Sequence, residues 1–318
     1  MSQLAVVAVD VGGTTVDAAC ISAAGELIGQ VVESASPAAG TKNEIVAELA
    51  RAVAAARAQA GDFAVTACGI AMPAPFDYAA GVSHMEHKFQ AINGVELGRL
   101  LREITGLPTY FINDADAFGL GLSWRQLPGA QRLVGLTIGT GLGGSFIENG
   151  ENVTAGDTVP PHGEVWDLPY AGGILEDYVS ARGVVAAYER LSAGQRPGAG
   201  TGSGSGERVS AKEIADLAFG GSGPAVEAYR AMGAAIGRGL APVLLRFEPE
   251  LLVIGGKVGQ SLPLFGPAAG RALAEAGLPD LPIIPAAAGN IALWGAARYP
   301  LDRLDARQSS QSRPGRQP

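Results

Sequence analysis

The sequence has 318 residues, of which 47% are hydrophobic and 17% are charged, a balance typical of a globular protein large enough for two domains. Its net charge of -8 argues against nucleic acid as a partner, because such binding depends on Lys and Arg that neutralise phosphates. The two cysteines form no Cys-x-x-Cys pair, and there is neither a signal segment nor an apolar run of about 18 residues, so the sequence predicts a cytoplasmic protein without a membrane span.

The first predicted element is a buried strand, Leu4–Val11, followed by two more strands over 16–21 and 27–32. Between the first two strands lies a turn of small and hydroxyl residues, Gly12, Gly13, Thr14 and Thr15. Its glycines allow a sharp turn that presents N–H groups, so the turn is predicted to bind phosphate, and Asp10 beside it is a candidate ligand for hydrated Mg²⁺. An ordinary Gly-Gly hairpin is the alternative.

Asn113 and Asp114 form the second candidate site. The elements predicted before them are a helix over 42–60, a strand over 65–71, a helix over 94–105 and a strand over 109–112. A carboxylate that directly follows a buried strand faces the crevice of an open α/β sheet, where it can accept a proton from a hydroxyl group. Alternatively, Asn113 only caps the following helix and Asp114 only occupies its first turn.

A second glycine-rich turn follows a strand predicted over 133–138. Residues 139–144 satisfy the dinucleotide pattern G-x-G-x-x-G, but that pattern requires a helix directly after it. Residues 145–150 instead favour a return strand, so Thr140 and Gly141 are predicted to lie in a second hairpin that binds phosphates through its backbone. Further on, the sequence predicts helices over 175–191, 225–246 and 290–299, and strands from Leu251 and over 283–285.

Five segments in order resemble the motifs of the ROK family, which contains sugar kinases and sugar-responsive repressors. They are residues 10–15, 69–77, 113–117, 137–144 and 251–256, and the resemblance spans residues 5–297. It implies an actin-like fold of two ribonuclease-H-like α/β domains, with ATP and sugar in the interdomain cleft. The domains are predicted as 1–113 with 291–306, and 114–290. Low complexity predicts a flexible loop over 194–206, and polar composition a disordered tail over 307–318.

The resemblance also implies roles for individual residues. Asp114 corresponds to the catalytic base, Asn113 to a partner of a sugar hydroxyl, and Asp10 to a residue near Mg²⁺. The positions that face the phosphates of ATP are Gly12, Gly13, Thr14, Thr15, Thr140 and Gly141. Gly255 and Gly256 correspond to the turn that contacts adenosine.

The chain departs from the family in the region that binds the sugar. ROK proteins usually carry Gly-Glu-Ile-Gly-His, a cysteine-rich zinc loop and a Leu-Glu pair, whereas this chain runs from Gly-Glu-Val-Trp-Asp over a short connection to Glu176. We therefore expect no structural zinc, and expect Glu164, Asp167 and Glu176 to bind the sugar, although a solvated acidic loop is the alternative. Three carboxylates favour an ammonium group, so an amino sugar such as glucosamine or 3-amino-3-deoxyglucose (kanosamine) is a hypothesis equal in weight to glucose.

The predicted function is ATP-dependent phosphorylation of a hexose or amino-hexose at its 6-hydroxyl, by a homodimer that binds neither nucleic acid nor membrane. The alternatives are a non-catalytic sugar-binding regulator and a polyphosphate-dependent glucokinase. Against a repressor, the sequence before Leu4 is too short for a helix-turn-helix. Small residues at Gly233, Gly237 and Ala241 predict close helix packing, either within the domain or between subunits.

Overall fold

The computed structural model describes residues 3–193 and 209–311. The chain divides into a first unit, which comprises the residues up to 129 and those from 287 onward, and a second unit of residues 130–286. The predicted loop over 194–206 lies outside the described residues, as do residues 312–318 of the predicted tail. No helix in the described ranges is long and apolar enough to cross a membrane.

The first unit contains a five-stranded sheet with the order β3-β2-β1-β4-β7. Its strands are β1 (Leu4–Val11), β2 (Thr15–Ser22), β3 (Leu27–Ala35), β4 (Ala64–Met72) and β7 (Thr109–Asn113). A small separate hairpin pairs β5 (Phe76–Asp77) with β6 (Val82–Ser83). Strands β1, β4 and β7 are mutually parallel, so their carboxyl ends meet at one edge of the sheet.

The helices of the first unit are α1 (Lys42–Arg57), α2 (Leu97–Thr105), α3 (Asp114–Gly121) and α8 (Ala292–Gln311). Thr41 caps α1 in a capping box with Glu44, and the predicted apolar face of α1 is buried. Helix α2 begins three residues later than predicted because Gly94 has a positive φ of 72°, which an α-helix does not contain.

Helix α8 contacts the sheet and α3 through glycines that permit backbone contact. A Cβ atom on Gly69 of β4 would overlap the carbonyl of Ala296, and one on Gly295 would overlap the carbonyl of Ala117 in α3. Because α3 packs against α8 in this way, the division between units falls after Gly129 rather than after Asn113. Residues 307–311, predicted as part of a disordered tail, continue helix α8.

The second unit contains a five-stranded sheet with the order β10-β9-β8-β13-β14. Its strands are β8 (Arg132–Ile138), β9 (Leu142–Glu148), β10 (Glu151–Asn152), β13 (Leu251–Gly255) and β14 (Ile283–Pro285), with β11 (Pro169–Tyr170) and β12 (Gly173–Ile174) in a separate pair. Its helices are α4 (Ala181–Ser192), α5 (Ala211–Phe219), α6 (Gly223–Phe247) and α7 (Leu262–Glu275). Strand β9 returns antiparallel to β8, which confirms the predicted hairpin.

Two helical predictions in this unit are refined. The helix predicted over 175–191 is a 3₁₀ turn (Leu175–Asp177) followed by α4, because extended Ser180 interrupts it and accepts a hydrogen bond from the Gly183 N–H. Gly233 and Gly237 of α6 face α7, where added Cβ atoms would meet the carbonyls of Phe265 and Ala269. Their spacing therefore serves helix packing within the unit.

Candidate functional site

Two opposed carboxylates lie beside the first hairpin turn. The antiparallel register pairs Asp10 of β1 with Asp17 of β2, and Nδ2 of Asn290 donates a hydrogen bond of 2.7 Å to Oδ2 of each. The other oxygen of Asp17, Oδ1, is buried and accepts no hydrogen bond. Sequence reasoning missed Asp17 and Asn290, although the predicted hairpin register places Asp17 opposite Asp10.

The Asp10 carboxyl is strongly perturbed by its surroundings. Its pKa is raised to about 7, chiefly by burial; the hydrogen bond from Asn290 acts to lower it, and the nearby charges of Asp114 and Asp17 act to raise it. A carboxyl group with a raised pKa readily takes up a proton and loses its negative charge, unless a nearby positive charge stabilises the ionised form. The arrangement is therefore suited to a cationic ligand.

The first glycine turn closes on itself. The Gly12 N–H donates to the carbonyl of Thr15 at 2.9 Å, and the Ser36 N–H donates to the carbonyl of Thr14 at 3.0 Å. Gly13 is exposed, and a Cβ atom added there would meet no other atom within 4 Å. The turn thus presents an open backbone at Gly13 on a support that hydrogen bonds hold in place.

Asn113 caps α3, as the simpler interpretation of the sequence predicts. Its Oδ1 accepts hydrogen bonds from the N–H groups of Ala115 at 2.9 Å and Asp116 at 3.3 Å. Its Nδ2 donates to Oη of Tyr78 at 3.1 Å, and that hydroxyl donates to the carbonyl of Met72 at 3.1 Å. One hydrogen of the Asn113 amide is thus donated to Tyr78, a residue that sequence reasoning missed. The second hydrogen is available for donation to a ligand.

Asp114 is the first residue of α3, at the carboxyl edge of the sheet. Its Oδ1 accepts from the Ala115 N–H at 2.9 Å, and the residue remains accessible to solvent. Desolvation raises the pKa of its carboxyl above the ordinary value, while the Ala115 N–H and the charge of Lys88 lower it. A carboxylate with a raised pKa is a stronger base than an ordinary aspartate, which suits acceptance of a hydroxyl proton.

In the second unit, the glycine hairpin between β8 and β9 is tied to the start of α4. Within the hairpin the Gly139 N–H donates to the carbonyl of Gly141 at 3.0 Å. The Ala181 N–H, at the start of α4, donates to the carbonyl of Gly139 at 2.8 Å. Thr140 lies at the tip of this turn, so the structure brings Thr140 and Gly141 into one tight, anchored loop.

Glu176 lies against the same hairpin. Its Oε2 accepts from the Leu142 N–H at 2.9 Å, and its Oε1 accepts from Nη2 of Arg182 at 2.6 Å. A Cβ atom at position 141 would come within 2.6 Å of Oε2, so a larger residue there would shift this carboxylate from its position on the hairpin. Arg182 is a residue that sequence reasoning missed.

The other two predicted sugar ligands lie in the loop before Glu176. Oε2 of Glu164 accepts from the indole N–H of Trp166 at 3.0 Å, and the Glu176 N–H donates to the carbonyl of Trp166 at 3.0 Å. Asp167 is exposed. Among residues 3–193 and 209–311, no lysine, arginine or histidine forms an ion pair with Glu164 or Asp167, whereas Glu176 is paired with Arg182.

Gly255 and Gly256 end β13 beside the hairpin. Gly256 has a φ of +83°, and a Cβ atom there would overlap the backbone of Ile138, the last residue of β8. The Val258 N–H donates to the carbonyl of Ile138 at 2.9 Å, which fixes the turn next to the hairpin. A pocket of about 470 Å³ begins just beyond it, and its apolar lining includes Leu262, Pro263, Pro267, Ile283 and Pro285.

The order and placement of these parts agree with a known family, since residues 6–292 match the model of the ROK family. The chain belongs to the ROK family. Curated ROK relatives include a glucokinase from Thermotoga maritima, 28% identical over 84% of this chain and 86% of the relative. They also include an N-acetylmannosamine kinase from Escherichia fergusonii, 27% identical over 79% of this chain and 82% of the relative.

The fold agrees with that of solved ROK structures. A ROK glucokinase from Streptomyces griseus, solved with glucose and AMPPNP, matches with a TM-score of 0.73 and 23% identity over 93% of this chain and 98% of its own. The two α/β units with their five-stranded sheets have the actin-like two-domain fold of ROK sugar kinases, which confirms the predicted fold class.

In the described ranges, no group of three His, Cys, Asp or Glu side chains is placed to hold a metal ion. Cys20 and Cys68 are buried and unpaired. That the chain needs no structural zinc stays a prediction.

Proposed function

We propose that this ROK protein is an ATP-dependent sugar kinase that phosphorylates a hexose or amino-hexose at the 6-hydroxyl, with Asp114 as general base. The observation that carries the proposal is the position of Asp114. Its carboxylate lies at the carboxyl edge of the first sheet, and its charge acts on Asp10 at the same edge. The glucokinase and N-acetylmannosamine kinase relatives are sugar kinases by name, which supports the same reaction class.

Asp114 supplies the one proton acceptor that the reaction needs. Phosphoryl transfer asks little covalent chemistry of the protein, so its contribution is to position the reactants and to remove the proton from the attacking hydroxyl. A positioned general base is worth about 10² to 10⁴ in rate. The presence of this carboxylate, with its raised pKa, favours a kinase over a non-catalytic sugar-binding regulator.

The residues around Asp10 fit Mg²⁺. They offer hard oxygen donors, and Oδ1 of Asp17 is buried without a hydrogen-bond partner, which a cation or its bound water would satisfy. Asp10 and Asp17 would hold the ion, and Asn290 keeps both carboxylates in place. When bound, Mg²⁺ neutralises charge on the phosphates of the donor.

ATP is favoured over polyphosphate as the donor by the second unit. The backbone of the hairpin at Thr140 and Gly141 would receive phosphates, and Gly255 and Gly256 lie next to it, before the apolar pocket. An apolar pocket suits the flat face of a purine, whereas polyphosphate has no apolar part. The turn at Gly12, Gly13, Thr14 and Thr15 would bind phosphates from the first unit.

The proposed class of sugar depends on the charges of three carboxylates and one guanidinium group. Glu164, Asp167 and Glu176 are the proposed sugar ligands, together with Asn113. Arg182 balances the charge of Glu176 and leaves two carboxylates without an ion pair in the described part of the chain. This charge suits both neutral hydroxyls and an ammonium group, so glucose and an amino sugar such as glucosamine or kanosamine are both proposed substrates.

The decisive experiment measures ADP release with MgATP against glucose, mannose, glucosamine, N-acetylhexosamines and kanosamine. Turnover that falls by about 10² or more in Asp114→Asn, but not in the exposed control Asp280→Asn, would establish the kinase and its base. The phosphorylated carbon is then read from the product by NMR. ATP binding without turnover on any sugar would instead favour the regulator. Homodimer formation, testable by light scattering, and cytoplasmic location stay predictions.

A further inference from the structure

Trp166 differs from the other two tryptophans of the chain in what covers its ring. Guanidinium groups lie over the others, Arg298 over Trp124 and Arg125 over Trp294. Trp166 is 40% exposed, and within the described ranges neither a cation nor another aromatic ring lies over it. The ring face of Trp166 is therefore open for stacking against a ligand.

The indole is held in place by its neighbours. Its N–H donates to Oε2 of Glu164 at 3.0 Å, and the Trp166 carbonyl accepts the Glu176 N–H at 3.0 Å. The preceding residue, Val165, is fully buried against Gly144, where an added Cβ atom would come within 2.7 Å of its Cγ2. The ring is thus presented from an anchored backbone, close in sequence and space to two proposed sugar ligands.

The chemistry of such a pair matches a sugar ring. Hexose rings carry C–H groups on their faces and hydroxyls around their rim. C–H groups with a small positive charge are attracted to the negative face of an aromatic ring, and rim hydroxyls donate to carboxylates. An indole face with a carboxylate fixed at its edge provides both contacts together.

We propose that Trp166 is a specificity-determining residue whose indole stacks against the C–H face of the sugar ring, while Glu164, oriented by the indole N–H, accepts from an adjacent hydroxyl or ammonium group. The inference rests on the proposed sugar kinase function. We call the indole of Trp166, with Glu164 at its edge, the aromatic platform; in the motif Gly-Glu-Ile-Gly-His, which residues 163–167 resemble, a glycine corresponds to Trp166.

Stacking on the indole of Trp166 also indicates which class of sugar the site would prefer. In the β-anomer of a gluco-configured hexopyranose all ring hydroxyls are equatorial, so both faces of the ring present C–H groups. Mannose and galactose each carry one axial hydroxyl on the same face of the ring, while the opposite face keeps its C–H groups. Trp166 on the face that carries this hydroxyl in the epimers would favour gluco-configured sugars and their amino derivatives.

The test is a calorimetric titration with glucose, glucosamine, mannose and galactose, without nucleotide, on wild type, Trp166→Phe, Trp166→Ala and the exposed control Phe219→Ala. In parallel, the change in fluorescence of wild type minus that of Trp166→Phe reports whether sugar reaches Trp166. We expect the alanine variant to bind glucose about three- to tenfold more weakly, the phenylalanine variant to keep most of the affinity, and the preference over mannose to shrink in the alanine variant only.

Two outcomes overturn the inference: glucose affinity that Trp166→Ala leaves unchanged, or an equal loss in Phe219→Ala. Its failure is separable from that of the kinase proposal. Turnover that is insensitive to Trp166→Ala would reject the platform and keep the kinase. Sugar that changes Trp166 fluorescence but yields no ADP would keep the platform and reject the kinase.

Discussion

Arg182 holds Glu176 against the second glycine turn. The guanidinium and the Leu142 N–H each occupy one oxygen of the carboxylate, at 2.6 Å and 2.9 Å, while the Ala181 N–H binds the carbonyl of Gly139 from the other side. The start of α4 therefore contacts the proposed phosphate turn and a proposed sugar ligand at once. Because the Arg182 side chain is 62% exposed, its ion pair with Glu176 adds little to the stability of the fold. The effect of the pair is therefore to position Glu176.

Arg182→Gln should leave stability nearly unchanged and raise the KM for sugar and ATP several-fold, because Glu176 loses the partner of its Oε1. Steady-state kinetics and thermal unfolding measure the two effects. Arg190→Gln, on the same helix, is the control and should change neither KM. A fall in melting temperature with unaltered KM values would show that the pair is structural.

Gly141→Ala should weaken ATP binding strongly, since the new Cβ atom would come within 2.6 Å of Oε2 of Glu176 and displace it from the hairpin. Gly139→Ala is the matched control, because a Cβ atom there meets nothing within 4 Å. Calorimetric titration with ATP compares the variants. Equal affinities in the two would contradict the contact as a determinant of the turn.

Tyr78→Phe should raise the KM for sugar and reduce stability by about 0.5 to 1.5 kcal/mol. The lost hydroxyl joins Nδ2 of Asn113 to the carbonyl of Met72, so the amide that we propose as a sugar ligand becomes less well oriented. Denaturant unfolding and kinetics check both effects. The ring contacts with Phe76 are retained in the variant, which makes the hydroxyl the only change.

The pH profile of kcat should show an acidic limb above the ordinary pKa of an aspartate. Desolvation raises the pKa of Asp114, and its ionised form is the proposed proton acceptor, so activity should fall as the pH drops through that raised value. Lys88→Gln removes a charge that lowers this pKa and should move the limb to higher pH. Lys212→Gln, which changes an exposed lysine of α5, should leave the acidic limb at the same pH. A limb that does not respond to Lys88→Gln would assign it to another group.

Gly69→Ala should destabilise the protein by about 1 to 3 kcal/mol or more, because its Cβ atom would overlap the Ala296 carbonyl of α8. Gly270→Ala is the opposite case. It lies in α7 with no atom within 4 Å of an added Cβ, so it should stabilise by up to about 1 kcal/mol. Thermal unfolding of both variants tests whether α8 is packed as closely as described.

Local patterns predicted both hairpins correctly. The turn at Gly12 and Gly13 and the return strand after Gly144 follow from alternation and turn chemistry over a few residues, and the sequence sufficed for them. The same holds for Asp114 at the end of β7. Contacts between residues that are far apart in the sequence could not be predicted from such local patterns. Asn290 reaches Asp10 across almost the whole chain, and periodicity carries no information on such a pair.

One helix and one division of the chain differ from the predictions for another reason. The helix predicted over 175–191 ignored the capping potential of Ser180, which breaks it. The boundary predicted after Asn113 followed motif order, whereas packing of α3 on α8 decides which unit holds α3. In both places a single polar or small residue outweighs the apolar pattern around it.

The position of α8 in the chain bears on synthesis at the ribosome. Residues 130–286 are continuous, so the second unit can complete its core while the chain is still being made. The first unit begins earlier yet finishes later, because β4 and α3 lack their close contacts with α8, at Gly69 and Ala117, until that helix is synthesised. The edge that carries Asp10 and Asp114 is therefore completed only after the second unit has been synthesised, since Asn290 follows that unit in the chain.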